Sequence, residues 1–323
     1  TYNGDANGDG IGDAEVDAST LFRDLENYNL LLTLRVNPIM GRGFAAADDR
    51  ATARAIERLG FFASASRDEI TVERLGGLTN LVYKVQCNGA AYVLRVPGKG
   101  TAEYINRRVE AVAARAAAKA GVSPEVIVFE DDGTMLASYV YGATTMTPAL
   151  FKSTAGAPTR AGRAFKQLHA SGARFDFRFE LFRMIDDYLK VLSTREARLP
   201  DGYHDVLKEA EVVRRALAAR PLPQAPCHCD PLAENFLDTG ARMWIVDWEY
   251  SGMNDPLWDL GDLTVEAGLG IVEEEEMLLA YFGGEPKPAE RGRVVIYKAM
   301  CDLLWTLWGL IQLANKNPAG NPN

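Results

Sequence analysis

Hydrophobic and polar positions change rhythm twice along the chain. Residues 1–44 follow no single period: a Gly/Asp/Asn-rich start from Asp5 to Asp13, a mixed segment around Leu21–Leu34, then Asn37-Pro38. They read as a turn-rich extension with at most one helix. A helix over about 48–59 follows, with Asp48 and Asp49 as its cap and Gly60 at its end. From residue 69 apolar positions recur every second residue, in Ile70–Leu75, Leu81–Gln86 and Ala91–Val96, and Asn88-Gly89 between the last two predicts a hairpin. An alanine-rich helix is predicted over Thr101–Ala120, with Thr101 as N-cap, Glu103 in the first turn and Gly121 as its C-terminal stop. Strands over Glu125–Phe129 and Met135–Val140 flank Asp131-Asp132-Gly133. Beyond Gly142 the period becomes helical, over 158–171, 178–192, 201–219, 272–282 and 288–314, broken by strand-like runs in Pro221–Asp247. The class is therefore α+β: an extension (1–44), a small antiparallel-sheet lobe with one inserted helix (45–142), and a mainly helical lobe (143–323) carrying a central strand–loop–strand patch.

Composition narrows the function. The 323 residues are 47% hydrophobic and 24% charged, an ordinary globular balance that excludes wholesale disorder and fibrous repeats. No uninterrupted apolar run approaches the ~20 residues that cross a bilayer, and no basic-then-apolar leader opens the chain. Four Cys are too few for a disulfide scaffold, so a reducing cytoplasm is expected. The net charge of −9 disfavours a nucleic-acid partner and suits a cationic small molecule.

Candidate chemistry concentrates in Cys227-His228-Cys229-Asp230-Pro231-Leu232-Ala233-Glu234-Asn235-Phe236-Leu237 and Trp244-Ile245-Val246-Asp247-Trp248-Glu249-Tyr250. Asp230 and Asn235 stand five residues apart in a loop entering a strand, and Asp247 ends the returning strand seventeen residues after Asp230. One hairpin can thus gather three oxygen-bearing side chains. Phosphoryl transfer needs such a set: a carboxylate for the attacking hydroxyl and hard oxygen ligands for Mg2+ on nucleotide phosphates. In the sheet lobe, Gly76-Gly77-Leu78-Thr79-Asn80 between two strands can fold over phosphates, although a Gly pair in a hairpin is commonly only a turn. Arg95 sits between apolar neighbours on the next strand, and Glu110 follows fifteen residues later on the predicted helix.

His228-x-Asp230-x4-Asn235 followed by Asp247 resembles the motifs of the protein-kinase-like small-molecule kinases: the choline/ethanolamine kinases and the related aminoglycoside phosphotransferases. The resemblance covers roughly 70–318 and implies a two-lobed protein-kinase-like fold. It implies Asp230 as catalytic base and Asn235 and Asp247 as Mg2+ ligands. ATP would lie against Gly76, Gly77, Asn80 and the Arg95–Glu110 pair, with its adenine on the backbone of Met135–Val140. Most kinase-like proteins use Lys where this chain has Arg95; choline kinases resemble it in using Arg, whose fork can grip phosphate and carboxylate together.

All five Trp lie between 244 and 308. Trp305 and Trp308 share one face of the last predicted helix, a pattern that is usually core. Met300–Gln312, however, resembles the C-terminal helix of choline kinases, in which paired Trp wall a choline pocket. A quaternary ammonium donates no hydrogen bond and is held by aromatic faces beside a carboxylate. The same resemblance makes Glu266 that carboxylate and Tyr250 a further wall, with Asp255 and Asp259 bracing loops. The expected reaction is ATP-dependent phosphorylation of choline. Ethanolamine or another amino alcohol, an aminoglycoside, and a catalytically silent pseudokinase used as a binding module are the alternatives.

Three features stand outside that reading. Asp5, Asn7, Asp9, Ile11 and Asp13 have the spacing of a Ca2+ loop, but position twelve is Val16 where an EF-hand has Glu. Cys227, His228 and Cys229 are adjacent in a predicted strand and cannot all reach one zinc ion; His228 is expected to brace the loop. His169 and His204 sit in helices with no evident role.

Overall fold

The alternating runs form one antiparallel sheet. The computed structural model describes residues 46–315 apart from 77–79, 99–104, 196 and 198, and gives only the backbone of 46–51, 67 and 76. The extension, its Ca2+-like loop and most of the Gly76–Asn80 turn lie outside the described residues. Helix α1 (Ala46–Leu59) leads to β1 (Ile70–Gly76), β2 (Asn80–Cys87) and β3 (Ala90–Pro97). Asn88 (φ 51°) and Gly89 (φ 79°) supply the two left-handed residues that a tight hairpin demands. With β4 (Val126–Phe129) and β5 (Met135–Ser138) the sheet runs β1-β2-β3-β5-β4. Tyr83, Val85, Leu94 and Leu136 pack on Ala55 and Leu59 of α1 and on Phe62 just beyond it.

The alanine-rich helix, α2 (Arg107–Lys119), starts later than predicted. Asn106, not Thr101, is its N-cap, accepting from the Val109 N–H at 3.2 Å. Thr101 and Glu103 lie outside the described residues, and the first-turn acid is Glu110. Both Thr and Asn can cap, so the choice falls to packing: the buried face, Arg107, Glu110, Ala111, Ala113, Ala114 and Ala117, begins directly after Asn106.

After β6 (Thr144–Thr145) come α3 (Pro148–Ser153), α4 (Ala157–His169), α5 (Leu181–Thr194) and α6 (Tyr203–Ala219). Short strands follow: β7 (Ala225–Cys227), the hairpin β8 (Phe236–Asp238) and β9 (Met243–Ile245), and β10 (Gly252–Asn254). The chain then forms α7 (Leu257–Glu266), α8 (Ile271–Phe282) and α9 (Pro288–Ala314). Periodicity missed α3, which is short, and α7, which is buried on nearly every side and so offers no polar stripe. Helix α5 starts after residue 180 because Phe177 and Phe179 hydrogen-bond through their backbones to Met253 of β10, with Arg178 opposite it, as extended chain.

By length and composition α9 could cross a bilayer, contrary to the count of uninterrupted apolar residues. Here it is a core helix, burying Val294, Tyr297, Met300, Cys301, Leu304 and Leu307 against α7 and α5. Gly261 makes the α7 crossing possible: a Cβ there would meet Tyr297 Cβ at 2.9 Å and the Val294 carbonyl oxygen at 3.0 Å. That approach sets one side of the candidate site.

Candidate active site

The loop after β7 is held by its backbone, which leaves its side chains for other work. Asp259 of α7 is fully buried and accepts from the His228 N–H (2.8 Å) and the Cys229 N–H (2.9 Å). His169 Nε2 also meets Asp259 at 2.9 Å, while its Nδ1 meets the Tyr281 hydroxyl at 2.9 Å. His169 therefore has a role after all: it ties α4 and α8 to the carboxylate that holds the loop. The strand ends at Cys227, and Cys229 adopts a left-handed backbone (φ 69°) with its carbonyl bonded to Trp258 Nε1. His228 is neutral, its pKa lowered by burial, and its Nε2–H donates to the Val246 carbonyl at 2.9 Å. The Cys227 and Cys229 thiols point to the Asn254 and Gly252 carbonyls, so the triplet does not converge on one ion.

Asp230 follows this turn, half-buried. Burial, then the charges of Glu266, Asp247 and Glu249, hold its carboxyl well above the ordinary range. Those neighbours place it between two acid-bearing regions. Asn235 donates Nδ2 to the Asp230 carbonyl at 3.0 Å, which leaves Oδ1 as its free oxygen. Asp247, just past β9, is strained (φ 66°), and its buried Oδ1 has no hydrogen-bond partner. Burial and then Glu249, opposed by Arg95, push the Asp247 pKa up to about 7.

On the sheet side, Arg95 (5% exposed) pairs with Glu110 (1%) and gives a further N–H to the Gly133 carbonyl. Its Nη1 lies 3.6 Å from Asp247 and 3.8 Å from Glu249. Arg107, from the first turn of α2, bridges Glu110 and Glu249 at 2.7 Å each. Asn80 donates Nδ2 to Glu249 at 2.8 Å, so this amide joins β2 to the segment after β9. Two guanidiniums thus face three carboxylates, and the surplus negative charge falls at Asp247.

On the helix side, the Tyr250 and Trp305 rings meet edge to face at 5.8 Å, and Trp305 Nε1 lies 3.4 Å from Asp262 Oδ1. Cys301 Sγ lies 2.9 Å from the same oxygen and 4.0 Å from Glu266. Burial, then Asp302 and Glu234, raise the Glu266 pKa to about 7. Trp308, one turn beyond Trp305, is half-buried and enters no ring contact among the described residues.

The structure thus gathers Asp230, Asn235 and Asp247 around one loop, Arg95 and Glu110 on one flank, and Tyr250, Glu266 and Trp305 on the other. Gly76 ends β1 at a register shift, and Gly77 lies outside the described residues. Sequence reading missed Arg107, Glu249 and Asp262. Only Glu249 left a trace, an acid two residues beyond Asp247.

The model of the phosphotransferase enzyme family matches residues 71–293. A solved choline/ethanolamine kinase family protein from Mesorhizobium loti is 64% identical, with a TM-score of 0.76 over 83% of this chain and 88% of that one. Choline kinase LicA from Streptococcus pneumoniae is 26% identical, with a TM-score of 0.67 over 83% and 95%. A structure of LicA in complex with AMP is 25% identical, with a TM-score of 0.63 over 82% and 92%. The two-lobed architecture is protein-kinase-like, as the motifs implied.

Proposed function

The chain belongs to the choline/ethanolamine kinase family, within the phosphotransferase enzyme family, and we propose that it transfers the γ-phosphoryl group of ATP to the hydroxyl of choline, giving phosphocholine and ADP. Residues 45–142 are the nucleotide-binding lobe and 143–323 the catalytic lobe in this reading. The observation that carries it is the unbalanced charge around Asp230: Asp230 and Glu266 pair with no protein cation among the described residues, with an aromatic pair on one flank and a guanidinium pair on the other.

Asp230 orients the choline hydroxyl and accepts its proton as the oxygen bonds to phosphorus; the bond to the bridging oxygen breaks and its electron pair leaves with ADP. Burial and flanking acids strengthen Asp230 as a base. Arg95, held by Glu110 and Gly133, presents its charge to the phosphates, to which the family motif also assigns Gly76, Gly77 and Asn80. Mg2+ fits the donors present, since Asn235 Oδ1 is left over and Asp247 Oδ1 is buried without a hydrogen-bond partner. An ion held by Asn235 and Asp247 would neutralise charge on the transferring phosphoryl group. Tyr250, Trp305 and Trp308 supply aromatic faces for the trimethylammonium, and Glu266 its counter-charge. ATP supply and four cysteines present as buried thiols support a cytoplasmic location.

Ethanolamine is the second reading, favoured by one observation: the buried Asp262 Oδ2 lacks a donor, and a primary ammonium can donate where a quaternary one cannot. Labelled ATP tested against choline, ethanolamine and kanamycin separates these. Choline is expected to give the highest kcat/KM. A higher value for ethanolamine reassigns the substrate, label on kanamycin alone makes the protein an antibiotic kinase, and none on any acceptor makes it a binding module.

A further inference from the structure

Helix α7 carries a carboxylate that phosphoryl transfer does not use. Asp262 is fully buried one helical turn before Glu266, so both project from the same face. The close crossing at Gly261 brings α9 against them. Asp262 Oδ1 takes the Cys301 thiol and lies near the Trp305 indole N–H, while the buried Oδ2 has no partner. Ligand atoms of Asp262, Glu266 and Cys301 lie within 4.8 Å of one another. Among the described residues no arginine, lysine or histidine pairs with either carboxylate. A thiol and an indole N–H could be satisfied by an amide, so hydrogen bonding alone does not account for an acid here. Burying a carboxylate without a cation is costly unless a charge arrives.

We propose that Asp262 is a positioning and specificity-determining residue: it orients Trp305 and adds the second negative charge of the substrate pocket. The pocket then selects an alcohol bearing a positive charge over its uncharged carbon analogue. This rests on the pocket assignment above. Two buried carboxyls one turn apart resist ionising together, and burial followed by the charge of Glu266 holds Asp262 well above its usual range. A fixed positive charge between them removes the repulsion; a neutral alcohol does not. Asn at 262 keeps the shape and the Oδ1 acceptor but locks in the uncharged state, so its deficit is confined to cationic substrates.

The test compares wild type and Asp262→Asn for the KM of choline, the KM of ATP and inhibition by 3,3-dimethylbutan-1-ol, in which carbon replaces the choline nitrogen. Asp262→Asn should raise the choline KM about tenfold, equivalent to about 1.4 kcal/mol. The other two constants should stay within about twofold. An unchanged choline KM, or equal shifts in all three constants, overturns the proposal. Trp305→Phe removes the N–H donor and serves where Asp262→Asn fails to fold. It should raise the choline KM at least about threefold, and an unchanged value overturns the proposal equally. Wild-type protein that phosphorylates neither choline nor ethanolamine sinks the pocket assignment first, and the inference with it.

Discussion

Two buried clusters of charge flank Asp230, and they are built on opposite plans. On the sheet side the chain supplies its own cations: Arg95 and Arg107 meet Glu110 and Glu249, with Asn80 completing the set. On the helix side Asp262 and Glu266 have no cation among the described residues, only a thiol and an indole as neighbours. The first cluster fixes geometry, because a guanidinium held by two carboxylates has little freedom to turn. The second is unfinished in electrostatic terms, so it is where a charged substrate gains most. Surplus charge at the edge of the paired cluster, at Asp247, is in the same way where the proposed Mg2+ would gain most.

The largest effect is expected midway between the clusters. Asp230→Ala should lower kcat by about 10³-fold, within the range for a general base, in the labelled-ATP assay. Its melting temperature should hardly change, because no described donor bonds that carboxyl and removal orphans nothing. Retained turnover would break the account at its centre. Next comes Glu110→Ala, which leaves Arg95 and Arg107 buried with too few partners. Breaking a buried pair costs about 3–5 kcal/mol, read from urea unfolding. Glu266→Gln, by contrast, removes a charge that has no partner and should leave stability unchanged or raise it. Equal losses from the two variants would erase the distinction between the clusters.

That distinction was only half legible in the sequence. Asp230, Asn235 and Asp247 closely flank one hairpin, where spacing controls proximity, and Arg95 with Glu110 follows from a strand next to a helix. The Asn88-Gly89 turn was legible for the same local reason. Arg107 and Glu249 are 142 residues apart, and Asp262 and Cys301 are 39 apart; only tertiary packing brings them together. Helix α7 hid Asp262 further, since a helix buried on all sides has no periodic polar face. His169 looked idle because its partner, Asp259, lies 90 residues away. The missed residues share that property: each draws its meaning from another element.

A smaller effect tests the aromatic part of the unpaired side. Trp308→Ala should raise the choline KM about fivefold, in keeping with one aromatic face on a cation, and leave the ATP KM unchanged. Equal changes in both would return Trp308 to the core.

The smallest expected effect is on pH dependence, and it separates the clusters without touching the fold. Glu266 titrates at about 7 in the folded protein because of burial first and the charges of Asp302 and Glu234 second. In the unfolded chain a glutamate titrates near ~4.3. Between those values the folded protein keeps a proton that the unfolded chain has released. This carboxyl therefore contributes stability that is full below the lower value and fades as pH rises through about 7. Binding of a cation runs the other way, since it needs the ionised form. Choline kcat/KM should climb up to about pH 7 and level off above it. Because the choline ammonium does not titrate, the rise belongs to the enzyme. Glu266→Gln should flatten that limb and remove the pH-dependent part of choline's protection in thermal melts. A limb that survives intact in the variant would move the titration across the site to Asp230 or Asp247, and the unpaired cluster would lose its claim on the substrate's charge.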